Sequence, residues 1–153
     1  MPPCAPPLDV LIVEDEALLA MDIESMILDS GHNVMGEASC LREVIAMPVN
    51  RPPHIAFVDI QLDEGSTGLE VCALIRAQWA DTAVIFLTAN PKKIPGDFCG
   101  AYGVIPKPFS RSGLMSAMRY IQEGVCDPPP ISPQPSSFCP SPDTTGRWAP
   151  VAK

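Results

Sequence analysis

Residues 8–16, with the sequence LDVLIVEDE, combine two signals that indicate the fold of this chain. The first six residues form a nearly continuous apolar run rich in β-branched side chains, which is typical of a strand buried on both faces of a parallel sheet. Three acidic residues end this run, and acidic side chains are favoured in the first turn of a helix. Apolar residues then recur at helical spacing until a glycine at position 31: Leu19, Ile23, Met26 and Ile27. This stretch therefore predicts a buried strand followed directly by an amphipathic helix.

The same alternation recurs along the chain. Further strands are predicted at Asn33–Ala38, at residues 55–60, at Ala83–Thr88 and around residues 104–105. Helices are predicted at residues 41–47, ended by Pro48, at residues 69–79 and around residues 114–121. Alternating strands and helices imply right-handed βαβ units, so we expect an α/β fold with a doubly wound, five-stranded parallel sheet and helices on both faces. Prolines and glycines interrupt residues 90–101, so the fourth helix, expected there, should be short or irregular.

Most of the 19 prolines lie near the two ends of the chain. Four fall in residues 1–7 and eight in residues 128–153, and proline does not fit inside helices or central strands. We therefore expect a Pro-rich N-terminal segment at residues 1–7, a folded domain at residues 8–124 and a Pro/Ser-rich C-terminal tail at residues 125–153. The composition of the tail favours extended or polyproline conformations over a packed core. Phe138 and Trp148 are apolar aromatic residues, however, so the sequence leaves open whether the tail docks on the domain.

Composition and charge limit the classes of partner. The 153 residues carry a net charge of −8, and nucleic-acid binding is disfavoured because it needs clustered basic residues. Lys92 and Lys93 are the only two Lys or Arg residues that are adjacent in the sequence, and we interpret them as a solvated pair. The sequence has neither an apolar run of about eighteen residues nor a signal-peptide pattern, so we expect no membrane contact and a cytoplasmic location. His32 and His54 lack metal-ligand spacing, and no role is predicted for them.

Polar residues follow the predicted strands at one edge of the sheet. Glu14, Asp15, Asp59, Thr88 and Lys107 each end or follow a strand-like run, and the carboxyl ends of parallel strands meet at the same edge. Carboxylates about 4 Å apart repel each other by roughly 4 kcal/mol per pair at an effective dielectric constant near 20, so the three acids need a compensating cation. Oxygen ligands without His or Cys favour Mg²⁺, Ca²⁺ or Mn²⁺ over zinc, and Mg²⁺ is the expected cofactor. Such a site leaves room for a phosphoryl group, with Lys107 as a second positive charge and Thr88 as a hydroxyl donor.

Four short motifs occur in a fixed order, and each lies at a predicted strand. They are residues 10–16 (VLIVEDE), 57–60 (FVDI), 86–89 (FLTA) and 107–109 (KPF). Together they resemble the motifs of the receiver domain of two-component response regulators, over about residues 8–124. The resemblance implies a flavodoxin-like sheet with the strand order 2-1-3-4-5, as in single-domain chemotaxis regulators.

The resemblance also implies a phosphoacceptor and its metal ligands. Asp59 is similar to the aspartate that accepts a phosphoryl group from a sensor histidine kinase or a phosphotransfer protein. Glu14 and Asp15 resemble the acids that bind Mg²⁺ in this family, together with the acceptor aspartate. The backbone carbonyl of Gln61 corresponds to a further ligand of the metal.

Two further residues have roles implied by the resemblance. Thr88 is similar to the switch hydroxyl that moves toward the phosphoryl group, and Lys107 is similar to the lysine that pairs with that group. Lys107–Pro108 matches a peptide bond that is frequently cis in the family. A receiver domain catalyses only its own phosphorylation and dephosphorylation, so the chain is not expected to be an enzyme that acts on other substrates.

The tail is too short and too Pro-rich for a DNA-binding or enzymatic output domain. We therefore expect a single-domain regulator that signals by contact with a downstream protein, which the sequence does not identify. Formation of a homodimer stays open, as does the choice between relaying phosphate, acting as a phosphate sink and sequestering a partner.

The sequence departs from the common receiver pattern in three places. The acidic pair is Glu14–Asp15 in place of two aspartates, a change that should keep metal binding. After Asp59, the usual Met-Pro turn is replaced by residues 62–68 (LDEGSTG), which are more acidic and form a longer loop. The usual switch aromatic of the fifth strand falls at Val104, while Tyr102 lies two residues earlier and is expected on the same face.

Two other functions compete with the phosphoacceptor. An Asp-nucleophile, Mg²⁺-dependent phosphohydrolase shares the aspartate after a strand, but that chemistry needs a second aspartate two residues later, where Gln61 stands. A receiver-like interaction module that is not phosphorylated would keep the fold, although nothing in the five edge residues favours it. A flavodoxin-like cofactor site is disfavoured because residues 14–16 are acidic and would repel a phosphate, and no P-loop motif occurs.

Overall fold

The computed structural model describes residues 7–47 and 51–149. Within these ranges a six-stranded sheet has the order β2-β1-β3-β4-β5-β6. Its strands are β1 (Asp9–Val13), β2 (Asn33–Ala38), β3 (Ile55–Asp59), β4 (Ala83–Thr88), β5 (Gly103–Pro106) and β6 (Cys139–Pro140). The helices are α1 (Ala17–Asp29), α2 (Leu41–Ala46), α3 (Gly68–Gln78), α4 (Arg111–Cys126) and α5 (Pro142–Arg147). The first five strands are parallel, which confirms the predicted doubly wound α/β fold and its strand order.

The central strands form the middle layer of the domain. Every residue of β1, β3 and β4 is buried, because helices cover both faces of the sheet. Alternate residues point to opposite faces, so Val10 and Ile12 belong to the apolar cluster under α1 and α4, whereas Leu11 and Val13 belong to the cluster under α2 and α3. Two apolar layers therefore hold one buried sheet.

The crossover between β4 and β5 contains no α-helix. Two short 3-10 turns, Pro91–Lys93 and Phe98–Gly100, replace it, as expected from the prolines and glycines of residues 90–101. Cys99 and Gly100 both adopt positive φ angles, of 52° and 83°, and a regular helix cannot continue through such residues. The fourth crossover is thus a chain of turns that lies beside the carboxyl end of β4.

Two histidines fix the start of β1 through its backbone. The Leu8 N–H donates to Nδ1 of His32 at 3.0 Å, and the Asp9 N–H donates to Nδ1 of His54 at 2.9 Å. Burial lowers the pKa of His32, which favours the neutral ring that accepts this hydrogen bond. These histidines therefore have a structural role that the sequence did not predict.

The C-terminal tail packs on the domain and adds a strand to it. The five predicted parallel strands are confirmed, and β6 of the tail adds a sixth strand that pairs antiparallel with β5. The side chains of Phe138 and Trp148 are buried, and both rings lie against Tyr120 of α4, with centroid separations of 5.9 and 5.6 Å. The tail therefore docks, although its composition favoured an unpacked segment.

Two glycines of the domain make room for these tail aromatics. A Cβ atom at Gly103 in β5 would overlap the ring of Phe138, and a Cβ atom at Gly124 in α4 would overlap the ring of Trp148. Glycine therefore allows the close approach of the two segments. Helix α4 also continues two residues beyond the predicted boundary at position 124.

Some predictions fall outside the described residues. Pro48, predicted to end α2, and all but the last residue of the N-terminal segment 1–7 lie there, so these predictions are not tested. Helix α2 itself ends at Ala46, one residue before the predicted end.

Replacing Phe138 with Ala should lower the free energy of unfolding by about 3–5 kcal/mol, because it removes a buried aromatic ring and leaves a cavity. Ile131→Ala is the matched control, since Ile131 lies in the same tail but is 93% exposed. Urea denaturation followed by circular dichroism measures both variants. Equal stability of the Phe138 and Ile131 variants would contradict the docked tail.

Candidate functional site

Three acidic side chains lie close together at the carboxyl edge of the sheet. Glu14 and Asp15 follow β1, and Asp59 is the last residue of β3. Each offers a carboxylate oxygen, and these oxygens all lie within 4.8 Å of one another. β1 and β3 are adjacent and parallel, so the fold itself brings the three acids together, as predicted from the sequence.

Lys107 bridges two of these acids. Its Nζ atom donates to Oε1 of Glu14 at 2.9 Å and to Oδ2 of Asp59 at 3.0 Å. The lysine reaches the edge because it directly follows β5, and its backbone N–H donates to the carbonyl of Thr88 at 2.8 Å. The Lys107–Pro108 peptide bond is cis, in agreement with the resemblance.

Burial shifts the pKa values of the groups that Lys107 brings together. The Glu14 side chain is fully buried, and this burial raises its pKa to about 7, although the hydrogen bond from Lys107 acts in the opposite direction. Burial also disfavours the Lys107 ammonium group, but its hydrogen bonds to Glu14 and Asp59 outweigh that effect and raise the pKa of Lys107. Burial therefore opposes ionisation of Glu14 even though Lys107 is bound to it.

The local structure after β3 fixes the position of Asp59. The Gln61 N–H donates to Oδ1 of Asp59 at 3.2 Å, so both carboxylate oxygens of Asp59 have a partner. The loop then returns to the strand end, where the Gly68 N–H donates to the Ile60 carbonyl at 2.8 Å. A Cβ atom at Gly68 would overlap the backbone carbonyl of Asp59, so this close return requires glycine.

A capping box begins the helix that follows this loop. The Thr67 hydroxyl accepts from the Glu70 N–H at 3.2 Å, and the Glu70 carboxylate accepts from the Thr67 N–H at 3.0 Å. Reciprocal hydrogen bonds of this kind satisfy two backbone donors at a helix start. The acidic loop of residues 62–68 is therefore ordered at its end and holds β3 and α3 in a fixed relation.

A cavity of about 300 Å³ opens at this edge, and it contains most of the predicted site. The predicted residues that line it are Asp15, Asp59, Gln61, Thr88 and Lys107. Glu14 does not line the cavity and is bound to Lys107. The Thr88 hydroxyl oxygen accepts from the Asn90 N–H at 3.0 Å, which leaves its proton available to donate. The structure thus brings together every residue predicted for the site.

Four residues at the cavity were not predicted. Glu16, Ala89, Asn90 and Lys93 also line it, whereas the sequence predicts only a solvated pair at Lys92 and Lys93. The position of Lys93 follows from the turn Pro91–Lys93 directly after β4, a geometry that the sequence pattern did not define.

The prediction that Tyr102 lies on the same face of the sheet as Val104 is wrong. Val104 belongs to the apolar cluster under α2 and α3, whereas Tyr102 packs against the opposite cluster. Tyr102 precedes the first residue of β5, so strand alternation does not apply to it. Its ring instead contacts the tail, with the Arg147 guanidinium 4.5 Å from the ring centroid and the Trp148 ring centroid 5.8 Å away.

The acidic triad suits a hard divalent cation. Its donor atoms are carboxylate oxygens without histidine or cysteine, and this donor set favours Mg²⁺. Burial raises the pKa of Glu14, and a cation bound at the triad would favour the ionised carboxylate.

The fold and this edge together define a class of protein. A parallel sheet of order 2-1-3-4-5 with an acidic triad, a threonine and a lysine at its strand ends is the arrangement of receiver domains. The sequence pattern described as "Response regulator receiver domain" matches residues 10–119, and the chain belongs to this family.

Individual proteins show the same likeness. The chain is 33% identical to the phyllosphere-induced regulator PhyR of Methylorubrum extorquens over 112 residues, which are 72% of this chain and 42% of that protein. The NMR structure of the PhyR receiver domain of Erythrobacter litoralis has 30% identity and a TM-score of 0.65, covering 82% of this chain and 96% of that one. The chemotaxis response regulator CheY4 of Vibrio cholerae has 25% identity and a TM-score of 0.65, with coverages of 74% and 98%. The chain spans about half the length of the curated relatives it matches. None of the described helices is long and apolar enough to cross a membrane.

Adding Mg²⁺ should raise the melting temperature of the protein, because a ligand that binds only the folded state stabilises it, by about 2.7 kcal/mol at one hundred times its dissociation constant. Asp15→Asn should remove most of this shift, since it deletes one of the three carboxylates. Asp81→Asn is the control, because Asp81 is an exposed acid outside the cavity. Differential scanning calorimetry with and without Mg²⁺ makes the comparison. An Asp15→Asn protein that keeps the full shift would show that the triad does not bind the metal.

Proposed function

We propose that the chain accepts a phosphoryl group on Asp59 from a sensor histidine kinase or a phosphotransfer protein, in a reaction that requires Mg²⁺. The observation that carries this proposal is the position of the Asp59 carboxylate, which lies at an open cavity and is held by Lys107 and by the Gln61 amide. Membership of the receiver domain family supports it.

The residues of the edge account for the chemistry. A carboxylate oxygen of Asp59 attacks phosphorus, the bond from phosphorus to the donor's histidine nitrogen breaks, and that nitrogen keeps the electron pair of the bond. Such a transfer needs positioning and charge neutralisation more than covalent machinery. Lys107 compensates charge on the phosphoryl oxygens, and the hydrogen bonds of Asp59 orient the nucleophile.

Mg²⁺ would be held by Glu14, Asp15 and Asp59, with the Gln61 backbone carbonyl as a further ligand. The metal would supply positive charge to the transferring group. The Thr88 hydroxyl has a free proton, because its oxygen accepts from the Asn90 N–H, and it would donate to a phosphoryl oxygen. The phosphoryl group, with a charge of about −1.5 to −2, would replace the single carboxylate charge of Asp59, and this local change would bias the segment that follows β4.

The output is proposed to be a protein contact made in the cytoplasm. The net charge of −8 opposes nucleic-acid binding, and neither a membrane partner nor catalysis on other substrates is proposed. One structure similar to this chain is that of the anti-anti-sigma factor PhyR of Bartonella quintana, of which the chain covers 46%. A regulator of a sigma factor is therefore one candidate for the downstream protein, and homodimer formation is another mode of output.

Two alternatives are less well supported. A phosphohydrolase would need an acid two residues after the nucleophile, and the backbone amide of Gln61 instead bonds Asp59. An interaction module without phosphorylation would not need a lysine that bridges two buried carboxylates.

Incubation with Mg²⁺ and acetyl phosphate should add the mass of one phosphoryl group to the wild-type chain. Asp59→Asn should gain none, because the amide is not a nucleophile for this transfer, while Asp81→Asn should behave as the wild type. Intact-protein mass spectrometry measures all three. Equal labelling of the Asp59→Asn variant would reject Asp59 as the acceptor, and repeated turnover without a labelled chain would favour a phosphohydrolase.

A further inference from the structure

Lys93 lies at the phosphoacceptor cavity as a second cation. The turn Pro91–Lys93 begins three residues after β4 ends. The Lys93 N–H donates to the Asn90 carbonyl at 3.0 Å, and the Asn90 N–H donates to the Thr88 hydroxyl oxygen, also at 3.0 Å. Backbone hydrogen bonds therefore link the turn to Thr88 and place Lys93 on the wall of the cavity that Asp59 and Lys107 also line.

The ammonium group of Lys93 is not engaged elsewhere. Among residues 7–47 and 51–149 it makes no ion pair or hydrogen bond, whereas Lys107 is bound to both Glu14 and Asp59. Lys92 is its neighbour in the same turn, and it is also exposed and unpaired. Lys92 does not line the cavity, so the two lysines differ in position and not in charge.

Lys93 also lines a second cavity, together with Gln61. This cavity has a volume of about 590 Å³ and an apolar wall formed by Ile60, Leu62 and Leu69. A lysine can cover apolar surface with its methylene stem and keep its ammonium group in water. The methylene stem of Lys93 can therefore cover the apolar wall while its ammonium group reaches the cavity that contains Asp59.

The charge balance of the site leaves a place for this cation. With a divalent cation bound, the triad would carry three negative charges, and Lys107 and that cation would supply three positive ones. Glu16 adds a further negative charge at the cavity, and an incoming phosphodonor such as acetyl phosphate is itself an anion. Without another positive group, the approach of the donor would meet net repulsion.

We propose that Lys93 is a second phosphoryl-binding residue, which contacts the phosphate oxygens of the incoming donor and attracts that anion to Asp59. The proposal rests on the proposed function and adds to it a residue from the atypical β4–β5 crossover. Lys107 contacts the acceptor carboxylate, whereas the Lys93 side chain has no hydrogen-bond or ion-pair partner within the described part of the chain that it would release when the donor arrives.

Initial rates of phosphorylation as a function of acetyl phosphate concentration test this role. Lys93→Gln should raise the half-saturating concentration about threefold to tenfold, because it removes one unit charge that attracts a doubly charged anion through water. The maximal rate should change less, since Asp59 and Lys107 are intact. Lys93→Arg should restore most of the wild-type concentration dependence, and added salt should weaken the wild type more than Lys93→Gln.

Lys92→Gln is the matched control, because it removes the same charge from the same turn. A half-saturating concentration that is unchanged in Lys93→Gln, or raised equally in both variants, would overturn the proposal. Melting temperatures of the variants separate this role from a structural one, because Lys93→Gln should melt like Lys92→Gln. If the wild type gains no phosphoryl group, the proposed function and this inference both fail, whereas a labelled wild type with equal Lys92 and Lys93 variants rejects Lys93 alone.

Discussion

Mutual repulsion among Glu14, Asp15 and Asp59 is the constraint on which the rest of the edge depends. Two adjacent parallel strands end at the same level, so the fold cannot separate these acids. The Lys107 ammonium group binds two of them, yet burial still raises the pKa of Glu14 to about 7. An edge with three clustered carboxylates offers the oxygen ligands that a divalent cation such as Mg²⁺ prefers.

The surrounding structure holds this unfavourable cluster in place. Apolar layers on both faces bury β1 and β3, and the hydrogen bonds of residues 61–68 close the loop against the end of β3. The crossover after β4 has no α-helix; Thr88 ends β4, and the turn that follows brings Asn90 and Lys93 to the same cavity. The acidic side of the cavity is thus built on strand ends, and the opposite side on a strand end and a short turn.

Much of the fold and the site could be predicted because their signals are local. Apolar runs located β1, β3 and β4 within a residue of their ends, and each predicted site residue ends a strand or follows one by no more than two residues. The tail could not be predicted in this way, since Phe138 and Trp148 are held by long-range contacts with Tyr120 and by space left at Gly103 and Gly124. Composition describes the 11 residues from Asp127 to Ser137 correctly as lacking helix and strand, but it carries no information on such contacts. Lys93 and Tyr102 were misjudged for a related reason, because each lies outside a regular strand or helix and its direction depends on turn geometry.

The central claim is that Asp59 carries the phosphoryl group as an acyl phosphate. The most direct measurement is reduction of the phosphorylated protein with borohydride, which converts an aspartyl phosphate to homoserine, followed by peptide mass spectrometry. The account predicts that homoserine replaces aspartate at position 59 and at no other acid. Three results would contradict it. These are homoserine at position 15, a reduced side chain at Glu14, and a phosphate on a serine, threonine or histidine with Asp59 unmodified.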